Sequence, residues 1–164
     1  MEGRDLRVEE VEAELRTAAT VPELMRLAAR RVADLLGGNG CAISRILGDV
    51  LVELAEFAGT RPTLYLGHGY LISDYPLTRE AVETREPRSV YIHDPDADKR
   101  EVELLHELKF ASVLMVPICV GQTVWGLAEI YREGVPRFVD VDADRAKRVF
   151  DLVGERVGQI ERAA

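Results

Sequence analysis

The stretch Phe110–Arg132, FASVLMVPICVGQTVWGLAEIYR, decides the fold of this chain. Apolar residues flank a short turn signal at Gly121 and Gln122, a pattern that predicts two antiparallel strands joined by a tight turn. Such a turn fixes which side chains share a face of the hairpin, because side chains alternate along each strand. If Val120 pairs with Thr123, one face of the hairpin is uniformly apolar, and the other carries polar groups as well.

The mixed face is the predicted ligand-binding face of this hairpin. It carries an indole, a carboxylate, a phenol and a serine hydroxyl, whereas the smooth opposite face is suited to receive a helix. The predicted pairs on the mixed face are Ile118 with Trp125, Val116 with Leu127, Leu114 with Glu129, and Ser112 with Tyr131.

Glu129 is the candidate residue of most interest on this face. Burial between apolar neighbours would desolvate its carboxylate and raise the pKa, unless a donor or a cation pairs with it. It would then accept hydrogen bonds from a ligand amine or amide. The alternative is internal pairing with an arginine or a tyrosine hydroxyl, because buried charges are usually paired.

Composition limits the partners of the chain. Its 164 residues fit a single domain spanning 1–164, and the formal net charge of -8 argues against general nucleic-acid binding. The charged N-terminus predicts no signal peptide, and the longest apolar stretch, near 111–120, is too short to cross a bilayer. Cys41 and Cys119 are too few for a disulfide framework, so we expect buried thiols and a cytoplasmic protein with no membrane contact.

The order of predicted elements describes an α+β domain. Segment 1–20 holds the N-terminal helix, and a capping box at Thr20 and Glu23 predicts the start of a second. The remaining predicted elements are two strands (Cys41–Leu47 and Val50–Phe57), an irregular segment (58–75), a short helix (Leu77–Arg85), a strand (Arg88–Ile92), a helix (Lys99–Leu108), the hairpin and a final helix over 141–164.

The final helix carries apolar residues at alternating steps of four and three. Such spacing is typical of a heptad seam, so we expect this helix to dimerise and signal, with the N-terminal helix of a second copy completing a bundle. The alternative is an amphipathic helix that packs only on its own sheet. The residues of this seam are Ala146, Phe150, Val153, Val157, Ile160 and Ala164.

Four motifs in this order resemble the GAF domain family. Leu77–Thr84 is similar to the family's short helix before its third strand, and Phe110–Ile118 resembles the GxxSxLxxPL strand. Gly121 followed by Trp125-Gly126-Leu127 resembles the return strand, G-x-x-x-G-x-L, and Phe138–Asp142 resembles the F-(S/T)-x-x-D start of the last helix. The resemblance implies a central, mainly antiparallel sheet of five to six strands. Terminal helices would cover one face, and short helices and loops would cover a pocket on the other.

Departures from family signatures limit what the resemblance implies about the ligand. The NKxnFx3DE signature of cyclic-nucleotide-binding members is absent, and segment 103–107, ELLHE, lacks the cysteine with which bilin-binding members attach their chromophore. The methionine-sulfoxide reductase members cluster several cysteines, whereas Cys41 and Cys119 lie in separate predicted strands. The resemblance therefore implies a small-molecule sensor and does not identify the molecule.

Several further side chains are candidates for the site. Trp125, Tyr131 and Phe110 offer flat surfaces to an aromatic ligand, although plain core packing is the alternative. The irregular segment would form a lid carrying Tyr65, His68, Tyr70 and Tyr75. The predicted ligand-binding set is Glu129, Trp125, Tyr131, Ser112, Leu114, Phe110, Tyr70, Tyr75 and His93.

Neither a catalytic residue nor a metal site is predicted. The pair His93-Asp94 lacks a third partner at motif spacing, and His106 lies between glutamates on an exposed helix face. Whether a haem is held stays open, with His68, His93 and His106 as its candidate ligands.

Three functions follow from these observations. The first is a ligand-sensing, non-catalytic module that forms a homodimer and relays binding to a kinase, cyclase or transcription partner. The second is an enzyme of the same fold, redox or hydrolytic, using a cysteine or His93. The third is a dimerisation scaffold whose pocket is filled by its own side chains.

Overall fold

The computed structural model describes residues 4–64, 70–134 and 136–164. These residues form one five-stranded antiparallel sheet in the order β2-β1-β5-β4-β3, which confirms the predicted α+β class. The elements are α1 (Leu6–Leu15), α2 (Val21–Leu35), β1 (Gly40–Leu47), β2 (Val50–Phe57), a 3₁₀ turn (Ile72–Asp74), α3 (Pro76–Thr84), β3 (Arg88–Tyr91), α4 (Lys99–Leu108), β4 (Ser112–Val120), β5 (Thr123–Arg132) and α5 (Asp140–Ala163).

The predicted N-cap at Thr20 starts α2, but the return bond from Glu23 goes to the residue before the cap and not to Thr20 itself. The Thr20 hydroxyl accepts a hydrogen bond from the Glu23 N–H at 3.3 Å, and the Glu23 carboxylate accepts from the Ala19 N–H at 3.1 Å. Asp98 caps α4 in the same manner, with its carboxylate accepting from the Glu101 N–H at 3.1 Å. These bonds satisfy donors that the first turn of a helix leaves free, so local sequence sets where each helix begins.

The β4–β5 hairpin departs from the predicted register by one residue. Val120 pairs with Thr123 as predicted, but Ile118 pairs with Gly126, which leaves Trp125 as an extra residue on β5. Such a β-bulge shifts every later pair, so Met115, and not Leu114, lies opposite Glu129. A Cβ on Gly126 would lie 2.6 Å from the carbonyl oxygen of Ser44 in β1, so the bulge sits where two backbones meet closely.

The bulge places Leu114 and Trp125 on the opposite side of the sheet from the predicted one. Both are buried in the core between the sheet and helices α1, α2 and α5, here called the helix-side core, together with Val116, Ile118, Ala128 and Ile130. The other core contains Val113, Met115, Leu127 and Tyr131, packed beneath α3, α4 and the segment before α3. The sheet thus has a structural side and a mixed side, but the predicted membership of the mixed side was wrong for Leu114, Trp125, Val116 and Ile118.

Helix α5 uses its heptad seam within the chain. Ala146, Phe150, Val153 and Val157 are fully buried against the sheet and the other helices. Ile160 is half-buried, and Ala164 is exposed. The expectation that this seam meets a partner helix is therefore wrong for its buried part, because a sheet covers it. The homodimer itself stays a prediction that needs another surface.

Within the described ranges, no helix is both long enough and apolar enough to cross a lipid bilayer.

Candidate functional site: a carboxylate beneath a tyrosine strap

Glu129 lies in the middle of β5 on the mixed side of the sheet. Its carboxylate accepts a hydrogen bond from the Tyr131 hydroxyl at 3.0 Å. The Tyr131 ring is 2% exposed and stacks on Phe110, with 4.8 Å between the ring centroids. Of the two predicted fates for Glu129, internal pairing with a tyrosine is therefore present, and contact with a ligand stays a prediction.

Arg61 fixes the far end of this aromatic pair. Its guanidinium lies 3.8 Å from the centroid of the Phe110 ring and donates to the carbonyls of Leu108 and Lys109 at 2.5 and 2.7 Å. A cation held over an aromatic face and by two carbonyls keeps that ring in place. The orientation of Tyr131 beside Glu129 thus depends on two other segments, one with Arg61 and one spanning 108–110.

A second carboxylate, Glu101 of α4, lies near the first. It is 4% exposed and accepts from both the hydroxyl and the N–H of Thr78, at 2.8 and 3.2 Å. The Thr78 hydroxyl also contacts the Met115 sulfur at 3.2 Å. These bonds tie α4 to the first turn of α3 directly over the sheet.

The segment Tyr70–Tyr75, here called the strap, crosses the mixed side above these carboxylates. Its Tyr70 carbonyl accepts from the Leu51 N–H at 3.1 Å. The Ile72 N–H donates to the Asp49 carbonyl at 2.8 Å, and the Ser73 N–H donates to the Asp49 carboxylate at 2.9 Å. The strap is therefore attached to the turn between β1 and β2.

A small cavity remains between the strap and the sheet. The cavity measures about 10 Å³, which is room for one water at most. Anything larger requires the strap or α4 to move. The described residues around it are Leu51, Tyr70, Leu71, Ile72, Tyr75, Thr78, Glu101, Leu104 and Glu129.

The electrostatics of the cavity favour a positive charge. Burial raises the pKa of Glu129 to about 7 against the opposing Tyr131 hydrogen bond, and the charges of Glu101 and Glu53 add to the rise. Burial also raises the pKa of Glu101, although the Thr78 bonds oppose it. Among the described residues, no lysine or arginine forms an ion pair with either carboxylate. Glu129 therefore has the Tyr131 hydroxyl as its donor and no ion-pair partner in the described part of the chain.

The structure brings together only part of the predicted set. Tyr70, Tyr75 and Glu129 border the cavity, and Tyr131 and Phe110 belong to the same core. His93 is exposed after β3, where its ring meets the edge of Tyr91 at 5.3 Å, and it does not border the cavity.

Other predicted residues lie elsewhere. Leu114 and Trp125 belong to the helix-side core because of the bulge. Ser112 is 1% exposed at the start of β4, and strand alternation puts it on the same side as Leu114. Tyr65 and His68 lie outside the described residues.

Sequence reasoning missed Thr78 and Glu101. A signal for Glu101 existed, because it precedes Leu105 by four residues and Leu108 by seven, which places a carboxylate on the inward stripe of α4. For Thr78, no comparable signal exists, since its contact with Met115 depends on how α3 crosses the sheet.

A family comparison identifies this architecture. The profile of the GAF domain matches residues 20–157. The chain belongs to the GAF domain family. A comparison with curated protein sequences gives no significant match.

Several solved structures similar to this GAF domain come from phytochromes. The chromophore-binding domain of the bacteriophytochrome RpBphP3 from R. palustris superposes with a TM-score of 0.82 at 17% identity, over 97% of this chain and 62% of that one. The phycoerythrobilin-bound GAF domain from a cyanobacterial phytochrome gives 0.83 at 18% identity, over 96% and 98%. The photosensory core module of the Stigmatella aurantiaca phytochrome gives 0.81 at 17% identity, over 98% and 39%.

These likenesses show a shared fold. The chain spans about three fifths of the RpBphP3 domain and two fifths of the Stigmatella module. The space above Glu129 holds about one water, so it does not fit a tetrapyrrole in this arrangement of the strap and α4.

Metal and haem ligation find no support among the described residues. No three histidine, cysteine, aspartate or glutamate side chains there are grouped to hold a metal ion. His93 and His106 are both exposed on separate elements.

Proposed function

We propose that this GAF domain is a non-catalytic sensor that binds a small molecule beneath the strap and relays binding to an output partner in signalling or transcription control. The observation that carries the proposal is the carboxylate of Glu129, which borders the cavity and has no cationic partner among the residues that the structure describes. A half-buried charge of this kind disfavours the folded state unless something pairs with it. A ligand bearing an amine or amide would supply that pairing.

The strap could transmit ligand binding to the sheet and the helices that pack on it. A ligand larger than one water must move the strap or α4 to enter, because the cavity has room for about one water. Movement of the strap would alter the bonds from Ile72 and Ser73 to Asp49 at the β1–β2 turn. Strand β1 pairs with β5 and packs under α2, so the ligand would favour one arrangement of strap and helices over another. Such a difference in affinity between two states is what signalling requires.

A thermal-shift screen with small aromatic amines and amides tests the ligand site. A ligand at a hundredfold excess over its Kd stabilises the fold by about 2.7 kcal/mol, which corresponds to a rise of about 5 to 10 °C in Tm for a chain of this size. Glu129→Gln keeps the size of the side chain and removes its charge. We expect it to weaken binding of an amine about tenfold or more, because hydrogen bonds to charged groups contribute about 1.5 to 3 kcal/mol.

The matched control is Glu103→Gln, a loss of the same charge on the exposed face of α4. It should leave the ligand-induced shift unchanged. If a ligand gives a clear shift and Glu129→Gln binds it as well as the unaltered protein does, the pocket assignment is wrong.

The small cavity also favours a second candidate, a scaffold whose pocket is filled by its own side chains. The same screen separates the two functions, since a scaffold would give no ligand-induced shift with any compound. A redox enzyme gains no support from the cysteines. Burial, together with the charge of Glu129, raises the pKa of the Cys41 thiol, and burial also raises that of Cys119. Raised thiol pKa values disfavour the reactive thiolate.

We further propose a homodimer, which native mass spectrometry of freshly purified protein would test. The expected spectrum shows two copies, and it would also reveal any retained small molecule. A spectrum showing one copy at micromolar concentration would contradict the dimer. It would leave the ligand site untouched, because Glu129 and the strap belong to a single copy.

A further inference from the structure

The outer edge of β3 has open hydrogen-bonding groups. β3 is the last strand of the sheet and pairs with β4 alone. The Ile92 N–H, just beyond β3, donates to the Ala111 carbonyl at 3.0 Å, so the backbone groups of Ile92 point toward β4. Backbone groups alternate in direction along a strand, and the N–H and C=O groups of Ser89 and Tyr91 therefore point away from β4. The Tyr91 carbonyl accepts from the Asp94 N–H at 3.0 Å. Within the described residues, the other three outward groups have no partner.

A groove of about 370 Å³ follows this edge. The start of α3, with Pro76, Leu77 and Glu80, forms one wall, and segment 94–98 forms the other. Pro87 and the charged Arg88 protect the start of this four-residue strand from pairing, whereas Ser89 and Tyr91 leave its outer edge without a lysine or a proline. An extended segment of a few residues could therefore form backbone hydrogen bonds with β3 while its side chains contact the two walls of the groove.

The walls of the groove are acidic. Glu80 and Asp94 have arginine neighbours, Arg88 at 3.7 Å and Arg137 at 3.6 Å, whereas Asp96 has no cationic partner in the described part of the chain. Asp98 adds a fourth carboxylate while capping α4. An approaching lysine or arginine would be attracted, and an acidic segment would be repelled.

We propose that β3 accepts an added sixth strand from a partner protein, namely an extended segment with lysine or arginine at alternate positions. Main-chain bonds to Ser89 and Tyr91 would supply the docking geometry, and the carboxylates of the groove would select the basic side chains. The proposal is independent of the ligand site, because Glu129 and the strap take no part in it.

The test uses a fluorescein-labelled hexapeptide that alternates lysine with valine, measured by anisotropy at low salt. A second peptide has the same side chains but methylated backbone nitrogens, and a third replaces lysine by glutamate. We expect only the first to bind, with Ser89→Pro weakening it about three- to tenfold through the loss of an outward N–H. Ser89→Ala is the matched control and should bind like the unaltered protein. Asp96→Asn should weaken binding and reduce its salt dependence.

Two results would overturn the proposal. One is equal binding of the methylated peptide, which would mean that charge alone attracts it and no strand is added. The other is equal binding of the glutamate peptide, which would remove the role of the acidic walls. Both comparisons use the unaltered protein, so they hold even if Ser89→Pro fails to fold.

Discussion

Gly154→Ala is expected to destabilise this GAF domain by about 3 kcal/mol or more. Gly154 lies in α5 where the helix crosses β4, and a Cβ there would lie 2.0 Å from the carbonyl oxygen of Cys119. The atoms that the new methyl group would meet belong to the backbone of Cys119, so no side chain can rotate away to make room. The helix must lift off the sheet and lose packing around Phe150 and Val153.

Chemical denaturation of the variant would measure this loss, and the melting temperature should fall by about 6 to 12 °C. Gly158→Ala, one turn further along α5, is the matched control. Its Cβ would meet the guanidinium of Arg162 at 3.2 Å, at the end of a flexible side chain. That variant should be neutral or more stable by up to about 1 kcal/mol, because alanine favours a helix over glycine. Equal effects of the two changes would mean that α5 does not rest closely on β4.

Glu129→Gln is expected to change how stability depends on pH. The pKa of Glu129 is raised from 4.5 to about 7 in the folded chain, so the fold holds a proton that the unfolded chain releases as pH rises above 4.5. Stability is therefore lost between those values as pH increases. The loss in the free energy of unfolding is about 2 kcal/mol, a value reduced from the full pKa difference because the side chain is partly exposed to solvent. Glutamine carries no charge, so the Glu129→Gln variant should not lose this stability as pH rises.

Urea denaturation near pH 5 and pH 8 would measure the difference. The two proteins should have similar stability at the lower pH, and the glutamine variant should be more stable by about 2 kcal/mol at the higher pH. Glu53→Gln serves as the comparison, since the pKa of Glu53 is also raised to about 7 but its side chain is exposed, so the gain should be smaller. Parallel stability curves for the unaltered protein and Glu129→Gln would show that this carboxylate is not desolvated.

Local sequence accounts for most of the elements. The capping residues at Thr20 and Asp98 start two helices, because their side chains satisfy donors within three residues. The tight turn at Gly121 joins β4 to β5, with a positive φ of 60° that glycine adopts without strain. Such interactions act over a few residues, which explains why the pattern predicts them.

The register of the hairpin could not be predicted in the same way. The extra residue at Trp125 depends on β1 passing close to Gly126, a contact between residues more than 80 positions apart. One residue of shift moves every side chain of β4 to the other side of the sheet relative to β5. The candidate site therefore kept Glu129 and Tyr131 but lost Leu114 and Trp125 to the helix-side core.

The sequence by itself determined the helices, the strands, the family and the presence of an acid on a mixed sheet face, because these follow from spacing and from contacts within a few residues. Only the tertiary structure decided that α5 covers its own sheet, that Thr78 and Glu101 close the cavity with the strap, and that β3 is left with an open edge. A periodic pattern specifies that a surface will be covered, and the choice of what covers it depends on distant segments packing together.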